Sequence, residues 1–529
     1  MTFDTDLITG FLEDAEGAIA RGAMSQARAL YQGILSADET NQTALTQLAA
    51  LAFAEEDYQR ALSFYAFAVE HYSRDADIHH GLGAVLWKLG DHENAERSFN
   101  TAIRIEPNHE PALYDKARLL QTTGRVDAAE QLYLQLASQN MSRVDAMFNR
   151  GVIMFRKGNL VAADRWFRQA AKRDPYSPRP VINLALIYRY WGRLDDAHRC
   201  LTHVVEQHPD LVDGQWNLAN LELLQGNLKD GFARKEWRFK RDGFTPPVRD
   251  IPRWQGGDIE GGALLLVAEQ GLGDTIHMVR FAKILADKGF RIGVEAQTSL
   301  APVLKTVPGV AEVVAPGTHT DDYGAWLPIM SLPAVLGIVE ETIPASIPYM
   351  SVPSATPTVS LEKKKFTVGI VWCGNPKHET DHLRSIPLVR WSPVLDVPDV
   401  EFVSIQVGTD GSELASVNST HTITDASEGL TDFSHTAAWV AHLDLIISVD
   451  TATAHLAAAM GRPTWLLISP ANDWRWMTGR SDSPWYPTLR LFRAKNVRIW
   501  TDVMYKVAEA LAERVSKADT LDQSGVPDE

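Results

Sequence analysis

Apolar positions along the chain follow two rhythms. Up to residue 235 they recur at helical spacing, and the pattern itself repeats. Ala27, Ala61, Ala95, Ala129, Ala163 and Ala197 stand 34 positions apart. An aromatic follows the alanine by four in most copies, at Tyr31, Tyr65, Phe99, Tyr133 and Phe167. A turn signal keeps the same phase at Gly22, Gly90, Gly124, Gly158 and Gly192, and Glu56 takes the glycine's place in one copy. Pro107, Pro175 and Pro209 close three copies. This predicts pairs of antiparallel helices, with six repeats over 8–211 and an atypical seventh from Val212. In the seventh, Gly226 keeps the turn and Gly231 replaces the alanine. A single pair cannot bury its own apolar face, so the copies stack into a superhelix with a concave groove.

The second rhythm begins at Gly262. Short apolar runs, Ala263–Ala268, Arg291–Glu295, Val310–Val314 and Ala325–Ile329, alternate with helical segments. That alternation predicts an α/β region with a parallel sheet. A polar, proline-containing stretch between Tyr349 and Lys365 marks a boundary. Strand-like runs resume at Phe366–Trp372, Glu401–Gln406, Leu443–Val449 and Pro463–Ile468. Helical patterns fall at Ser434–His442, Thr451–Met460 and Thr501–Val515. The expected domains are therefore a repeat superhelix over 1–235, a connector over 236–261, α/β domains over 262–350 and 351–517, and a disordered tail over 518–529. The connector is expected to be ordered. Pro246, Pro247 and Pro252 forbid a continued helix, and Trp237, Phe239 and Trp254 have surface to bury.

Composition narrows the function. A formal net charge of -16 argues against nucleic acid as the main partner, though not against a nucleotide in a local positive pocket. The two cysteines, Cys200 and Cys373, exclude a disulfide framework and a cysteine-based zinc site. The start, M-T-F-D-T-D, lacks a basic segment, and no apolar run approaches a membrane span. A cytoplasmic protein is expected.

Candidate chemistry gathers at strand ends. After the run Ala263–Ala268 comes E-Q-G-L-G-D-T-I, in which Gly271 and Gly273 form a turn and Asp274 and Thr275 open a helical segment reaching Leu285. A strand, a glycine turn and a helix start present backbone N–H groups to a ligand. Ile276 stands where a dinucleotide fingerprint needs its third glycine. Asp274 would repel a pyrophosphate at contact distance, so it faces a neutral, hydroxyl-bearing partner.

A second strand end, S-V-D-T-A-T-A-H, places Asp450, Thr451 and Ala452 at a helix start with His455 one turn on. Simple capping by Asp450 or Thr451, with His455 packed, is the alternative. The loop C-G-N-P-K-H-E-T-D-H-L-R-S after Phe366–Trp372 brings Lys377, His378, His382 and Arg384 close together. That cluster suits a diphosphate, or else a solvated loop. The His378/His382 pair lacks an obvious third ligand, so no metal is expected. Cys373 reads as a buried small residue.

These motifs carry a resemblance. The pair E-Q-G-L-G-D-T-I (269–276) and S-V-D-T-A-T-A-H-L-A-A-A-M-G-R-P (448–463), with W-R-W (474–476), S-P-W-Y-P (483–487) and L-F-R (491–493), resembles glycosyltransferase family 9, the heptosyltransferase-like enzymes of GT-B fold. The 34-residue unit resembles the tetratricopeptide repeat. The resemblance implies two Rossmann-like domains, an acceptor-side one at 262–350 and a nucleotide-sugar-binding one at 351–517. It implies a nucleotide-sugar as co-substrate, no other cofactor and no metal. The family's proposed catalytic base falls on Asp274. Its donor-holding D-T-x-x-x-H element falls on Asp450, Thr451 and His455. Gly271, Gly273, Ala452, Arg384, Lys377 and Gln406 are assigned to the donor side as well. Relatives commonly carry Asp-Thr where this chain has His435-Thr436, after Asp432-Phe433.

The repeats suggest the acceptor. Asn149, Asn183 and Asn217 recur every 34 residues on the first helix of their repeats. A primary amide can pair with both groups of an extended peptide backbone. This resembles the asparagine ladder of O-linked N-acetylglucosamine transferases, although a packing role is the alternative. Phe148, Arg189, Tyr190 and Trp216 occupy neighbouring groove positions. The expected function is thus metal-independent, inverting transfer of a sugar to Ser/Thr hydroxyls of a protein held by the repeats. A saccharide or lipid-linked acceptor, or a repeat scaffold with an inactive transferase module, are the rivals.

Overall fold

The computed structural model describes residues 5–139, 144–244, 249–317, 320–359, 365–376, 378, 381–408, 412–417 and 423–524. The chain packs as two units, Met1–Pro180 and Val181–Glu529. The first is a run of helix pairs from Thr5–Ala20 and Met24–Ala37 through Val144–Arg156 and Leu160–Arg173. The repeat alanines from Ala27 to Ala163 are wholly buried, as are Tyr31, Phe99, Tyr133 and Phe167. Phe99 and Phe167 sit where the facing helix has a glycine, Gly83 and Gly151. A methyl group added to Gly151 would lie 2.5 Å from the Phe167 ring.

The turn glycines take left-handed φ values, 76° at Gly22 and 84° at Gly90, which a side chain disfavours. Glu56 holds the same turn at φ 62° without being glycine. Asn41, Asp57, Asp75, Asp91 and Asn159 cap helix starts by accepting from a backbone N–H three residues on.

The second unit opens with the remaining repeat helices, ending with Leu194–Gln207, Val212–Leu224 and Leu228–Lys235. The division between packing units falls at the start of the Pro178–Tyr190 helix, while the repeat helices themselves continue to Lys235. The reason is packing. Phe232, on the last repeat helix, meets Trp474 edge-on at 5.2 Å and Trp485 at 6.5 Å. Arg189 donates to the main-chain oxygen of Asn472. Similarity of period does not decide which copies share a core.

Glu236–Lys240 forms a 3-10 turn, and Trp254 is buried. Buried Arg238 donates to Glu269 at 2.8 and 3.2 Å and to Ser331 at 2.6 Å, tying the connector to the next strand's end. Pro246 and Pro247 lie outside the described residues.

Two parallel sheets follow. The first contains β1 (Ala263–Val267), β2 (Arg291–Glu295), β3 (Val310–Val314) and β4 (Ala325–Pro328), in the order β3-β2-β1-β4. The second contains β5 (Phe366–Val371), β6 (Val400–Ser404), β7 (Ile423–Asp425), β8 (Leu445–Val449), β9 (Thr464–Ile468) and β10 (Leu489–Arg493). Its order is β10-β9-β8-β5-β6-β7. Every β1 residue is buried, as a strand covered on both faces requires. In the first sheet β1 stands between β2 and β4, and in the second β5 stands between β6 and β8, so the strand order reverses beside each of them. Ligands bind at such switch points, beyond the carboxyl ends of the strands.

Three sequence readings change. β7 and β10 are short strands that the apolar pattern did not separate from loop. The segment opening at Asp274 is two helices, Leu272–Met278 and Phe281–Asp287, with Asp274 in the first turn of the former. The final helix runs Thr501–Ser524, through most of the tail expected to be disordered. Neither glycine nor proline interrupts that helix before Gly525, so no residue there forces it to stop at the expected boundary.

Candidate active site

The two motif-bearing helices meet. Leu272–Met278 follows β1, Ala452–Ala459 follows β8, and they pack against each other at Gly273. A methyl group there would stand 2.9 Å from His455 Cδ2 and 3.6 Å from Ala452 Cα. Gly273 is thus glycine because another chain segment occupies the space. Beside this contact lies a cleft of about 1110 Å³.

Asp274 lines the cleft with its side chain 22% exposed. One oxygen accepts from the Gly271 N–H at 2.8 Å, and the other accepts from the Arg475 guanidinium. Arg475, 5% exposed, also donates to Asp473 at 2.8 Å and to His277 Nδ1 at 2.8 Å. Burial opposes its charge, but the Asp473 and Asp274 carboxylates raise its pKa overall. Asp473 is held low by Arg475 although burial alone would push it up. The Arg475 bond fixes the His277 tautomer: Nδ1 accepts, so the neutral ring carries its proton on Nε2. Burial, then the neighbouring Arg280 and Arg475, keep that ring neutral.

His455 is buried between aromatic rings. It stacks on Trp476 at 5.2 Å and on His277 at 5.6 Å, and its Nδ1 pairs with the Tyr486 hydroxyl at 2.9 Å. Burial, with Arg475 nearby, lowers its pKa to about 3. Asp450 accepts from Trp476 Nε1 at 2.9 Å. Burial and the Asp473 charge push it up to about 6. Thr451 caps its helix, with its hydroxyl 3.0 Å from that of Ser448.

Arg384 bridges two loops at the cleft's other end. It donates to Asp381 at 3.0 Å and to the Asp450 main-chain oxygen at 3.0 Å. Gln406 lies on the cleft wall, but its amide is engaged by backbone: it accepts from Trp372 and Cys373 and donates to Val407. Cys373 has its thiol pushed up to about 11 by burial, so it is a poor nucleophile at neutral pH. Lys377 lies outside the described residues. Just before His435-Thr436, Asp432 caps the Phe433–His442 helix by accepting from the Ser434 and His435 N–H groups.

The structure therefore gathers Gly271, Gly273, Asp274, Arg384, Gln406, Asp450, Thr451, Ala452 and His455 along one cleft. It does not bring Trp216 there. That ring stacks under Lys235 at 3.8 Å and Arg241 at 4.8 Å. Asn217 donates to the Asp213 main-chain oxygen at 2.8 Å, and Asn183 is half-buried on the Pro178–Tyr190 helix. In the first unit, Asn149 donates to the Tyr114 hydroxyl at 3.0 Å, and Phe148 packs on Phe167. Sequence reasoning passed over Asp473, His277 and the role of Arg475. The motif W-R-W held the signal for Arg475, since a lone arginine between two tryptophans is buried and needs carboxylate partners.

Comparison with known proteins bears on these residues. The tetratricopeptide repeat models match residues 76–109, 114–178 and 182–233. The model of glycosyltransferase family 9 (heptosyltransferase) matches residues 419–496, which hold Asp450, Thr451, His455, Asp473 and Arg475. The chain joins tetratricopeptide repeats to a glycosyltransferase family 9 domain. Asp274 lies outside the matched stretch. Protein FlbA of Caulobacter vibrioides is 24% identical over 528 residues, covering 87% of this chain and 88% of that protein. Protein O-mannosyl-transferase TMTC3 of Homo sapiens is 26% identical over 181 residues, covering 34% of this chain and 20% of its own length. A tetratricopeptide repeat protein from Parabacteroides merdae aligns with 44% of this chain and 91% of its own, with TM-score 0.38 and 19% identity. At a general level the family 9 match supports glycosyl transfer. No helix among the described residues is long and apolar enough to cross a membrane.

Proposed function

We propose that this protein is a metal-independent, inverting glycosyltransferase of GT-B fold. In this reading 262–350 is its acceptor-side Rossmann-like domain and 351–517 its nucleotide-sugar domain. It moves a sugar from a nucleotide-sugar to Ser/Thr hydroxyls of a protein held by the repeats. The observation that supports the reading is the meeting of Gly273 with His455, which brings the Asp274 carboxylate and the helix start at Thr451 and Ala452 onto one cleft.

The chemistry follows from those groups. The acceptor hydroxyl gives its proton to Asp274 as its oxygen attacks the anomeric carbon. The bond from that carbon to the phosphate oxygen breaks, and its electron pair leaves with the nucleoside phosphate. One displacement inverts the anomeric centre. The N–H groups at the start of Ala452–Ala459 and the guanidinium of Arg384 take up the charge that develops. Arg475 is a positioning residue, aiming Asp274 from the opposite α/β half. The 34-residue phase of Asn149, Asn183 and Asn217 supports a polypeptide acceptor.

The test pairs two assays on the pure protein, hydrolysis of each member of a nucleotide-sugar panel and transfer to a co-purified protein read by mass. Both should persist in excess chelator. Replacing Asn149, Asn183 and Asn217 together by Ala should weaken transfer about ten- to a thousandfold, at ~0.5–1.5 kcal/mol per lost site, while hydrolysis continues. Absence of hydrolysis with every donor sinks the enzyme reading. Turnover restored only by magnesium or manganese sinks the metal-independent one.

A further inference from the structure

The cleft has a third wall. Arg189, Tyr190 and Asn220, all from repeat helices, line it together with Asp274 and Asp473. We propose that this wall is an acceptor subsite in which Arg189 takes the carboxylate of an acidic residue beside the acceptor hydroxyl. The inference rests on the polypeptide reading above and narrows it to an acidic sequence context.

Three arginines line the cleft. Arg384 is paired with Asp381, and Arg475 with Asp473 and Asp274. Arg189 donates to the main-chain oxygen of Asn472, and its buried Nε has no partner. No carboxylate among the described residues lies within ion-pair distance of it. A half-buried guanidinium without a counter-charge is costly unless a ligand supplies one, and a carboxylate fits its fork of donors.

Position assigns the ligand to the acceptor side. Asn472 precedes Asp473, which pairs with Arg475, which pairs with Asp274. Arg189 is thus linked through the Asn472–Asp473 segment to the guanidinium that holds the proposed base. Helical spacing connects this wall to the amide rows. Asn183 and Tyr190 are seven residues apart on Pro178–Tyr190, and Asn217 and Asn220 three apart on Val212–Leu224. Both spacings keep residues on one helix face. Asn220 is held in place, accepting from Lys235 Nζ and donating to the Trp216 main-chain oxygen at 2.8 Å. Asn183 and Asn217 thus share helix faces with Tyr190 and Asn220, which line the cleft together with Asp274.

The experiment measures anisotropy of short fluorescent peptides on the full-length protein. Each peptide carries one serine flanked by glutamate, alanine or lysine. Glutamate-flanked peptides should bind about tenfold or more tighter than lysine-flanked ones. Arg189→Ala should erase that preference, and Arg189→Lys should restore part of it. Tyr190→Ala should weaken all three peptides and leave the preference intact, which separates a subsite from a disturbed fold. A nucleotide panel read by melting temperature runs in parallel. Binding that ignores peptide charge, or a preference that survives Arg189→Ala, overturns this proposal and leaves the polypeptide reading standing. Nucleotide binding without binding of any peptide overturns both. Loss of the nucleotide shift in Arg189→Ala, with the peptide preference kept, assigns Arg189 to the donor and overturns the subsite.

Discussion

Asp274 and Asp450 each follow a buried parallel strand and stand beside the start of a short helix in the same cleft, yet their surroundings differ. Asp274 reaches back to the Gly271 N–H and faces a guanidinium. Asp450 faces an indole N–H and another carboxylate, and burial with that carboxylate pushes it up to about 6. One residue type in one local setting becomes two chemical groups. The neighbours responsible, Arg475, Asp473 and Trp476, come from a single loop after β9. What assigns a role here is the tertiary partner, not the motif.

The largest test of that contrast is Asp274→Asn. If Asp274 is the base, turnover should fall roughly 10²–10⁴-fold with donor affinity nearly unchanged. Asn satisfies a helix start about as well as Asp. Near wild-type kcat in this variant would therefore reduce Asp274 to a structural group and erase the contrast.

Arg475→Met tests the partner. It leaves Asp473 and Asp274, 36% and 22% exposed on the cleft wall, without their shared counter-charge, and because water reaches both the cost is about 1–3 kcal/mol. Denaturant unfolding should show that loss, and a stability within about 1 kcal/mol of wild type would mean that water serves both carboxylates as well as the guanidinium does.

Gly273→Ala probes the contact between the two helices. The added methyl would force His455 or the Ala452 backbone to move, and overpacking of this kind costs about 1–3 kcal/mol. A lower melting temperature with weakened nucleotide binding is expected. An unchanged value for both would show that the helices separate readily.

The smallest effect is read from pH. Asp450 has a raised folded-state pKa, so its contribution to stability is full below the unfolded value near 3.8 and is lost as pH rises through about 6. Asp450→Asn removes this dependence and keeps an oxygen for Trp476. The melting temperature of the variant relative to wild type should therefore rise between pH 4 and 6. A difference that is flat across that window would mean that Asp450 is not perturbed by its neighbours.

Much of this was open to sequence reasoning because it depends on local periodicity. The repeat alanines are buried as their phase requires, and the turn glycines take the left-handed φ that their phase suggests. Glu56 shows how far a repeat tolerates exceptions, since it takes the glycine's conformation at a cost of about 1–2 kcal/mol. The glycine loop and the D-T-x-x-x-H element were both legible, because a strand followed by a small-residue helix start has a recognisable pattern.

Their meeting was not legible. Gly273 and His455 are brought together by crossovers in two separate sheets, and nothing near either residue names the other. The same holds for Trp216, whose groove phase suited a ligand until Lys235 and Arg241 covered its ring. It holds for Arg189, beside which no carboxylate among the described residues folds within ion-pair distance. Sequence by itself determined the elements, their periods and the residue types able to do chemistry, since backbone propensity and apolar phase are local. Only the tertiary structure decided which of those residues share a cleft and with what charge, because electrostatics and close packing depend on distance in space.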